Sequence, residues 1–449
     1  MRLHRTSRRR AQSTVRSAAV VALSALLTPA VVIGEVERVE LDNGLTVLLS
    51  PSTSGENVAL VVLYAIGEDH DPAGKCGLAH LTEHVYVTAA AGKTPSRSID
   101  DYMQRYPDGW NAQTGSDYTV FATLFPSGRL GEELRDAAAR MGDLKPTDAD
   151  LKREQPRLVR ELHNMYDGIP ALAAQNQARM HVRPLPNGRR KGGVEQEVDR
   201  ITVAEVRDWW GRYYKPRNAT VALAGPFDPD EARKLIRAAF GPIARGAELP
   251  DACTPGAAQP GTWKSIPIRP NVPTAPAHAC LAFAAPLPGD PDYAATLLLM
   301  NRMWHQAAAG GGVPQVAFGA LDDPKLIAVS APVSGNETPE ETIERLREFI
   351  DQATTAPLQP FEKMGVRQGV GMMVGLADMP DVTYRQNPYG VAFSLGRRAQ
   401  MQIDAESINK RLEALQPEEV RIAAQSVFGS NWQVAVVVSA APANAPRGN

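Results

Sequence analysis

The chain has 449 residues, 43% hydrophobic and 22% charged, with a formal net charge of −2. That length suits two or three domains, and the balanced charge argues against a nucleic-acid binder, which needs a clustered basic surface. Three cysteines, Cys76, Cys253 and Cys280, are too few and too odd in number for a disulfide framework. Residues 1–17 hold six arginines and no acid, and residues 18–34 are small and almost wholly apolar. A basic start before an apolar run is the pattern of a signal peptide, here residues 1–34. Thr28-Pro29-Ala30 or Val32-Ile33-Gly34 would be its cleavage region. Ser24, Thr28 and Pro29 interrupt the run, which argues against a stable membrane anchor, and no cysteine lies nearby to take a lipid. Ser7-Arg8-Arg9 hints at twin-arginine export. The expected location is periplasmic or secreted, ahead of mitochondrial. Residues 36–50 alternate about the turn Asp42-Asn43-Gly44, and residues 57–67 form a continuous apolar strand. Residues 67–77 read as loop, with His70 solvated between Asp69 and Asp71.

Gly77-Leu78-Ala79-His80-Leu81-Thr82-Glu83-His84 carries H-x-x-E-H. On a helix, His80 and His84 lie one turn apart on one face, where two imidazoles can grip one metal ion. Glu83 borders that face and brings a carboxylate beside the metal without being needed as a ligand. The order inverts the H-E-x-x-H motif of zinc peptidases; the plainer alternative is a solvated polar helix face. Zinc in hydrolases usually takes three protein ligands and keeps one position for water, so a third must come from elsewhere. A short helix is predicted over residues 98–105, a strand over 118–124, and a helical pattern over 127–166 with a break at Lys145-Pro146. Within it Glu154 and Glu161 stand seven residues apart, two turns along one face. Pro156 between them threatens a kink. The spacing alone leaves open a third ligand with its helper or an exposed acidic stripe. His163 points to a different face and reads as a non-ligand.

An amphipathic helix follows over residues 202–214, with Trp209, Trp210, Tyr213 and Tyr214 as core. A buried strand (219–225) and a helix (228–240) complete a first domain, residues 35–240. Residues 241–262, rich in Pro, Gly and Ala, read as a linker. The architecture then begins again with a strand (279–285), a helix (293–306), a strand (326–331) and a helix (338–354). Glu205-Val206-Arg207 leads through a helix to Val221-Ala222-Leu223, and Glu419-Val420-Arg421 does the same to Val434-Ala435-Val436. Two copies of one α+β unit follow from this echo, the second spanning residues 263–441 before a tail at 442–449. Gly310-Gly311-Gly312 lacks the Lys-Ser/Thr ending of a phosphate loop and reads as a flexible connection.

The segment around the pentad resembles the core motif of the insulinase/pitrilysin family of zinc peptidases, and the resemblance runs over about residues 36–439. In that family a glutamate some seventy-five residues on is the third ligand, seven residues after another functional glutamate. Glu161 lies 77 residues after His84, with Glu154 seven before it. Asp108-Gly109-Trp110-Asn111-Ala112-Gln113-Thr114 resembles the family's Asn-Ala-x-Thr edge strand. The resemblance implies an α+β fold of two homologous α/β-sandwich units, each a mainly antiparallel sheet packed with helices, only the first carrying the metal motif. It implies Zn2+ on His80, His84 and Glu161, with Glu83 as general base and Glu154 orienting the ligands. Asn111 and Ala112 would then pair with substrate backbone, and Cys76 would not be needed as a ligand. The implied activity is endopeptidase cleavage of peptides or unfolded polypeptides. A non-catalytic partner subunit is the rival, against which stands an intact set of metal positions. A purely structural zinc would need a closed site of four ligands. Because a working chamber in the family holds four such units, a second homologous subunit is expected, with a homodimer as the alternative. The family's Arg and Tyr seven apart, which reach the substrate, are not matched. Arg385, Arg397 and Arg398 have no Tyr at that spacing, and Tyr384 and Tyr389 flank Arg385 wrongly.

Overall fold

The residues that make the longest apolar run are buried on two sides, and that fact organises the molecule. The structure, a computed structural model, describes residues 36–53, 55–186, 189–259, 261, 263–319, 323–359, 362, 388–429 and 433–441. The expected signal peptide, the tail, Tyr384 and Arg385 lie outside the described residues. The chain begins with β1 (Glu37–Glu40), β2 (Thr46–Pro51), β3 (Asn57–Tyr64), α1 (Leu78–Thr88), β4 (Ala90–Ala91), α2 (Ile99–Arg105), β5 (Trp110–Thr114) and β6 (Thr119–Pro126). There follow α3 (Leu130–Gly142), β7 (Leu144–Lys145), α4 (Asp148–His163), α5 (Pro170–Val182), α6 (Glu195–Val198), α7 (Val203–Tyr213), β8 (Ala219–Gly225) and α8 (Pro229–Phe240). The second half has β9 (Trp263–Ile268), β10 (His278–Ala284), α9 (Tyr293–Ala309), β11 (Gln315–Gly319), β12 (Asp323–Pro332) and α10 (Pro339–Thr355). It ends with α11 (Pro388–Met401), α12 (Ala405–Ala414), α13 (Pro417–Phe428) and β13 (Val434–Ala440).

The first sheet runs β1-β2-β8-β3-β6-β5 and the second β9-β13-β10-β12-β11. Each is antiparallel except for one parallel pair, β2 with β8 and β9 with β13. The order β2-β8-β3-β6-β5 is thus repeated by β9-β13-β10-β12-β11, and the fold is α+β with two units of one topology. The sequence echo falls on helix starts. Glu205 closes a capping box with Thr202 at the start of α7, and Glu419 does so with Gln416 at the start of α13.

On β3, Val58, Leu60, Val62 and Tyr64 face a core shared with Leu81, Val85, Leu134, Trp209 and Ile236 of the helices. Ala59, Val61 and Leu63 point the other way, onto Val391 and Ala392 of α11. Burial on both faces is why the strand shows no polar alternation. The second sheet is treated in kind. Cys280, Ala282, Val434, Val436 and Val438 meet Ala173, Ala174, Ala178 and Val182 of α5. Each half therefore lends one helix to the outer face of the other's sheet. Gly396 permits the contact in α11, since a Cβ there would lie 2.1 Å from Leu63 Cδ1. Fully burying a Leu or Val contributes about 1.5–3 kcal/mol, so these exchanged faces are substantial to stability.

Pro156 sits inside α4 without ending it. Both Pro156 and Lys152, whose carbonyl loses its partner, are exposed, so water can take the lost bond. Residues 241–259 contain no helix or strand, yet they are fastened down: Cys253 N–H donates to Asp69 O at 2.7 Å and Gln259 N–H to His181 O at 3.0 Å. Among the described residues no helix is long and apolar enough to cross a membrane.

Candidate metal centre

Helix α1 begins at Gly77, whose φ of 104° is the left-handed region where glycine is at ease. Asp71 caps it, accepting the Gly77 and Ala79 N–H groups at 2.7 and 2.8 Å. Burial pushes the Asp71 carboxyl up to about 7, against the pull of those two N–H bonds. The whole helix is buried, His80 at 7%, Glu83 at 6% and His84 at 4% exposed. A solvated polar face is thereby excluded.

Helix α4 packs against α1 and brings both of its glutamates to the histidines. Glu161 Oε1 stands 3.6 Å from His80 Nε2, and Glu161 Oε2 stands 3.5 Å from His84 Nε2. Ligands at about 2.0–2.1 Å from a tetrahedral ion lie about 3.4 Å from one another, so these spacings suit zinc. Glu83 Oε2 is 4.0 Å from His80 Nε2 and accepts a hydrogen bond from Thr114 Oγ1 at 2.7 Å. The ring nitrogens that face away have partners of a different kind. His80 Nδ1 lies 3.0 Å from the Gly192 carbonyl, which can only accept, so Nδ1 carries a proton and Nε2 is the nitrogen left for a metal. His84 Nδ1 lies 3.5 Å from Glu154 Oε2, an ion-pair distance rather than a hydrogen bond, and that buried nitrogen has no hydrogen-bond partner among the described residues. Glu154, 1% exposed, accepts from Arg153 Nε and Arg157 Nη1, each at 2.9 Å. Neither glutamate belongs to a free acidic stripe.

The electrostatics ask for a cation. Burial alone would lower the His80 imidazole, but Glu161, Glu83 and Glu68 reverse the effect and raise it to about 9. The same contest, with Glu154 and Glu161 opposing burial, raises His84. Burial works against Glu154 as an anion, yet His84, Arg153 and Arg157 hold it down at about 2. Bonds from both imidazoles, ahead of burial, take Glu161 well below the usual carboxylate range. The carboxylates favour the protonated form of both imidazoles, and a divalent ion would answer the same negative charge.

Among the described residues strand β5 is an edge, paired only with β6. Trp110 and Ala112 pack on the core side and Thr114 reaches Glu83. Asn111 turns to the opposite face, where its Nδ2 donates to Tyr389 OH at 3.1 Å. What Asn111 can offer a ligand is its main chain. The cavity of about 260 Å³ at the centre is lined by His80, Glu83, His84 and Glu161, by Ala112 and Thr114 of β5, and by Glu68 and Lys191. A larger cleft of about 690 Å³ is walled by Leu78, Trp209 and Tyr213 and holds none of the three candidate ligands; its size does not outweigh the donor set.

One expectation changes, at His70. His70 is half-buried, not solvated, and its Nδ1 accepts the Gly67 N–H at 3.1 Å. Cys76 Sγ points to Arg190 O at 3.4 Å, and burial pushes its thiol up to about 12. Arg397 is no reaching clamp: it is 1% exposed, 3.0 Å from Asp117 and 4.0 Å over the Tyr118 ring. His163 pairs with Asp167 at 3.4 Å, away from the histidine pair. Sequence reasoning missed Glu68, Lys191, Gly192, Thr114 and Tyr389. Only Thr114 carried a signal, since it closes the Asn-Ala-x-Thr stretch.

A family model described as the inactive domain of peptidase M16 matches residues 200–362, a span that excludes the pentad and both α4 glutamates. The chain is 25% identical over 213 residues to the zinc protease PqqE of Helicobacter pylori, covering 45% of this chain and 46% of that one. It is 28% identical over 217 residues to an uncharacterized zinc protease of Mycobacterium bovis, covering 45% and 46%. The chain spans about half the length, or less, of the curated relatives it matches. Its fold matches the crystal structure of a protease from Helicobacter pylori with a TM-score of 0.74 at 17% identity, over 90% of this chain and 99% of that one. The periplasmic protease PqqL from Escherichia coli matches at 0.65 and 16% identity, over 90% and 48%. The architecture is that of the two-unit M16-like proteins. The chain is similar to members of the insulinase/pitrilysin, or M16, peptidase family, through residues 200–362 in the family model and through these zinc proteases over about half its length.

Proposed function

We propose that the chain is a zinc-dependent endopeptidase acting on peptides or unfolded polypeptides. The observation that carries this reading is the approach of both Glu161 oxygens to the two histidine Nε2 atoms, at 3.6 and 3.5 Å, beside a strand that is an edge among the described residues. Glu161 suits the third ligand position better than Glu83, because it spans both imidazoles while Glu83 Oε2 is engaged by Thr114. Zinc held by His80, His84 and Glu161 would polarise a carbonyl and make a bound water more acidic. Glu83 takes a proton from the attacking water and returns it to the departing amine. Thr114 fixes the Glu83 carboxylate for that task. Glu154 holds His84 in orientation through Nδ1. The outer edge of β5 pairs with an extended peptide through main-chain bonds at Asn111 and Ala112, which selects for unfolded segments over side-chain identity.

The M16 description as inactive applies to residues outside the pentad, and the alternative of a non-catalytic partner subunit calls for a degraded ligand set that this chain does not have. Export to the periplasm or beyond, argued from residues 1–34, agrees with the description of PqqL as periplasmic. A structural neighbour at TM-score 0.61 is a ferredoxin protease in complex with ferredoxin, which fits a polypeptide as substrate. We further propose a second homologous subunit, non-identical in preference to a homodimer. The test is one purified sample assayed for zinc content and for cleavage of a quenched peptide, before and after chelation. Zinc should restore turnover. Full turnover in protein shown to be metal-free would end this reading.

A further inference from the structure

We propose that Glu68 is a positioning residue for His80, acting through Gly192; the inference rests on the metal-ligand reading of His80. Glu68 lies in the turn after β3 and is 5% exposed. Its Oε1 accepts the Gly192 N–H at 2.8 Å, and the carbonyl of the same glycine takes His80 Nδ1 at 3.0 Å. Gly192 is therefore fixed by a carboxyl oxygen on one side and holds the candidate ligand His80 on the other. Rotation or retreat of this one residue would release the imidazole proton that keeps the Nε2 lone pair aimed at the cavity.

The surroundings leave the loop few other supports of that kind and little room. Gly192 has φ +84° and a Cβ there would lie 2.8 Å from Leu162 Cδ2, next to Glu161 on α4. Gly193 has φ +134° and a Cβ there would lie 2.9 Å from Gly77 Cα, where α1 starts. The two glycines fill the gap between the helices that carry the candidate ligands. Tyr166 OH donates to Lys191 O at 2.9 Å and Val194 N–H to Cys76 O at 3.3 Å. Those bonds fix the loop's flanks, and the bond to Glu68 fixes its centre. Glu68 also lines the metal cavity, and its Oε2 is buried with no hydrogen-bond partner among the described residues. Leaving a buried carboxylate oxygen unpaired is costly, and burial pushes this carboxyl up to about 7. A group kept at such a cost beside a ligand's support is better explained by a task at the metal than by packing.

The test reads metal affinity without reference to catalysis. Glu68→Ala, Glu68→Gln and wild type are titrated with zinc against a chromophoric chelator, and the thermal midpoint of each metal-free protein is recorded. Glu68→Ala should weaken zinc binding about 10-fold, the lower end of what loss of a ligand's supporting partner does. Glu68→Gln keeps an acceptor for Gly192 N–H and should restore affinity to within about threefold of wild type. If Glu68→Ala fails to fold, Glu68→Met, of similar length and without an acceptor, serves in its place. Wild-type affinity in the variant lacking the acceptor, or no rescue by Gln, would overturn the proposal. A wild type that takes up no zinc would instead bring down the metal-centre reading, and this inference with it.

Discussion

The two halves share a strand order and differ in the helix that follows the central strand. After β10 comes α9, which fills its place in the second half with Leu297, Leu298, Leu299 and Met300, all fully buried. After β3 comes α1, which puts His80, Glu83 and His84 into an equally buried position. An apolar helix is the solution the topology accepts when packing is the only demand. Burying three ionisable groups instead costs desolvation that their mutual pairing only partly offsets. The comparison fits the proposed chemical role of α1 and a packing role for α9. It also separates the edges: β5 is tied to Glu83 through Thr114, whereas β11 at the matching edge reads Gln315-Val316-Ala317-Phe318-Gly319 and has no hydroxyl or charge to offer.

Replacing the α1 carboxylate should break that distinction most completely. In Glu83→Gln the turnover number should fall by about 10²–10⁴-fold, the usual contribution of a positioned general base, with zinc content unchanged. Peptide hydrolysis and metal stoichiometry measured on one preparation check this. Turnover near wild type would remove Glu83 from the mechanism.

The α4 glutamates should separate next. Glu161→Gln should lose more zinc affinity than Glu154→Gln, for which a drop of about 10–100-fold is expected of a residue that supports a ligand. The reverse order would exchange their roles. Glu154 also makes a prediction in pH. Its carboxyl is held at about 2 in the folded chain against an ordinary 4.5, so its contribution to stability is full above the ordinary value and fades as pH falls toward the folded one. Urea midpoints of the metal-free protein should therefore drop between pH 4.5 and 2 in wild type, and the drop should be shallower in Glu154→Gln. Equal slopes would show that Glu154 is not ionised by its neighbours.

What the sequence disclosed and what it hid divide along the same line. His80, Glu83 and His84 stood out because helical spacing converts directly into a shared face; the spacing of Glu154 and Glu161 left two readings open, and only the family resemblance gave them roles. The hairpin turn, the strands and the repeated unit showed through alternation and caps. The exchanged helices α5 and α11 were invisible because their buried faces are built from Ala173, Ala174, Ala178, Ala392 and Gly396, residues too small to mark a hydrophobic period. Glu68 and Gly192 were hidden for another reason: they meet 124 residues apart in sequence, and nothing local announces such a pairing. His70 misled because flanking acids suggest solvent, while the 3₁₀ turn folds it inward.

The exchange of helices can be broken at Gly396. Gly396→Val must move Leu63 or α11, since even a Cβ would sit 2.1 Å from Leu63 Cδ1, and overpacking of this kind costs about 1–3 kcal/mol. Gly128→Val, where a Cβ would meet nothing within 4 Å, should stay within about 0.5 kcal/mol of wild type. Denaturant midpoints compare the two. Equal midpoints would mean that α11 contributes little to the first sheet.

The smallest effect concerns whether the second half reaches the site at all. Tyr389, at the start of α11, accepts a hydrogen bond from Asn111 Nδ2 at 3.1 Å, and its ring stacks on Phe393 with centroids 6.1 Å apart. Tyr389→Phe keeps the ring and its packing and removes only the hydroxyl. A neutral hydrogen bond contributes about 0.5–1.5 kcal/mol net. The strand that loses it is the edge proposed to pair with substrate, while the proposed metal ligands sit on α1 and α4. The loss should therefore appear as a two- to tenfold rise in KM, roughly what that energy converts to, with kcat and zinc affinity unchanged. A fall in kcat at constant KM would place the link between α11 and the chemistry itself, not the substrate strand. No change in either constant would show that the first half holds its edge strand unaided, and that the second half's contribution stops at the outer face of the sheet.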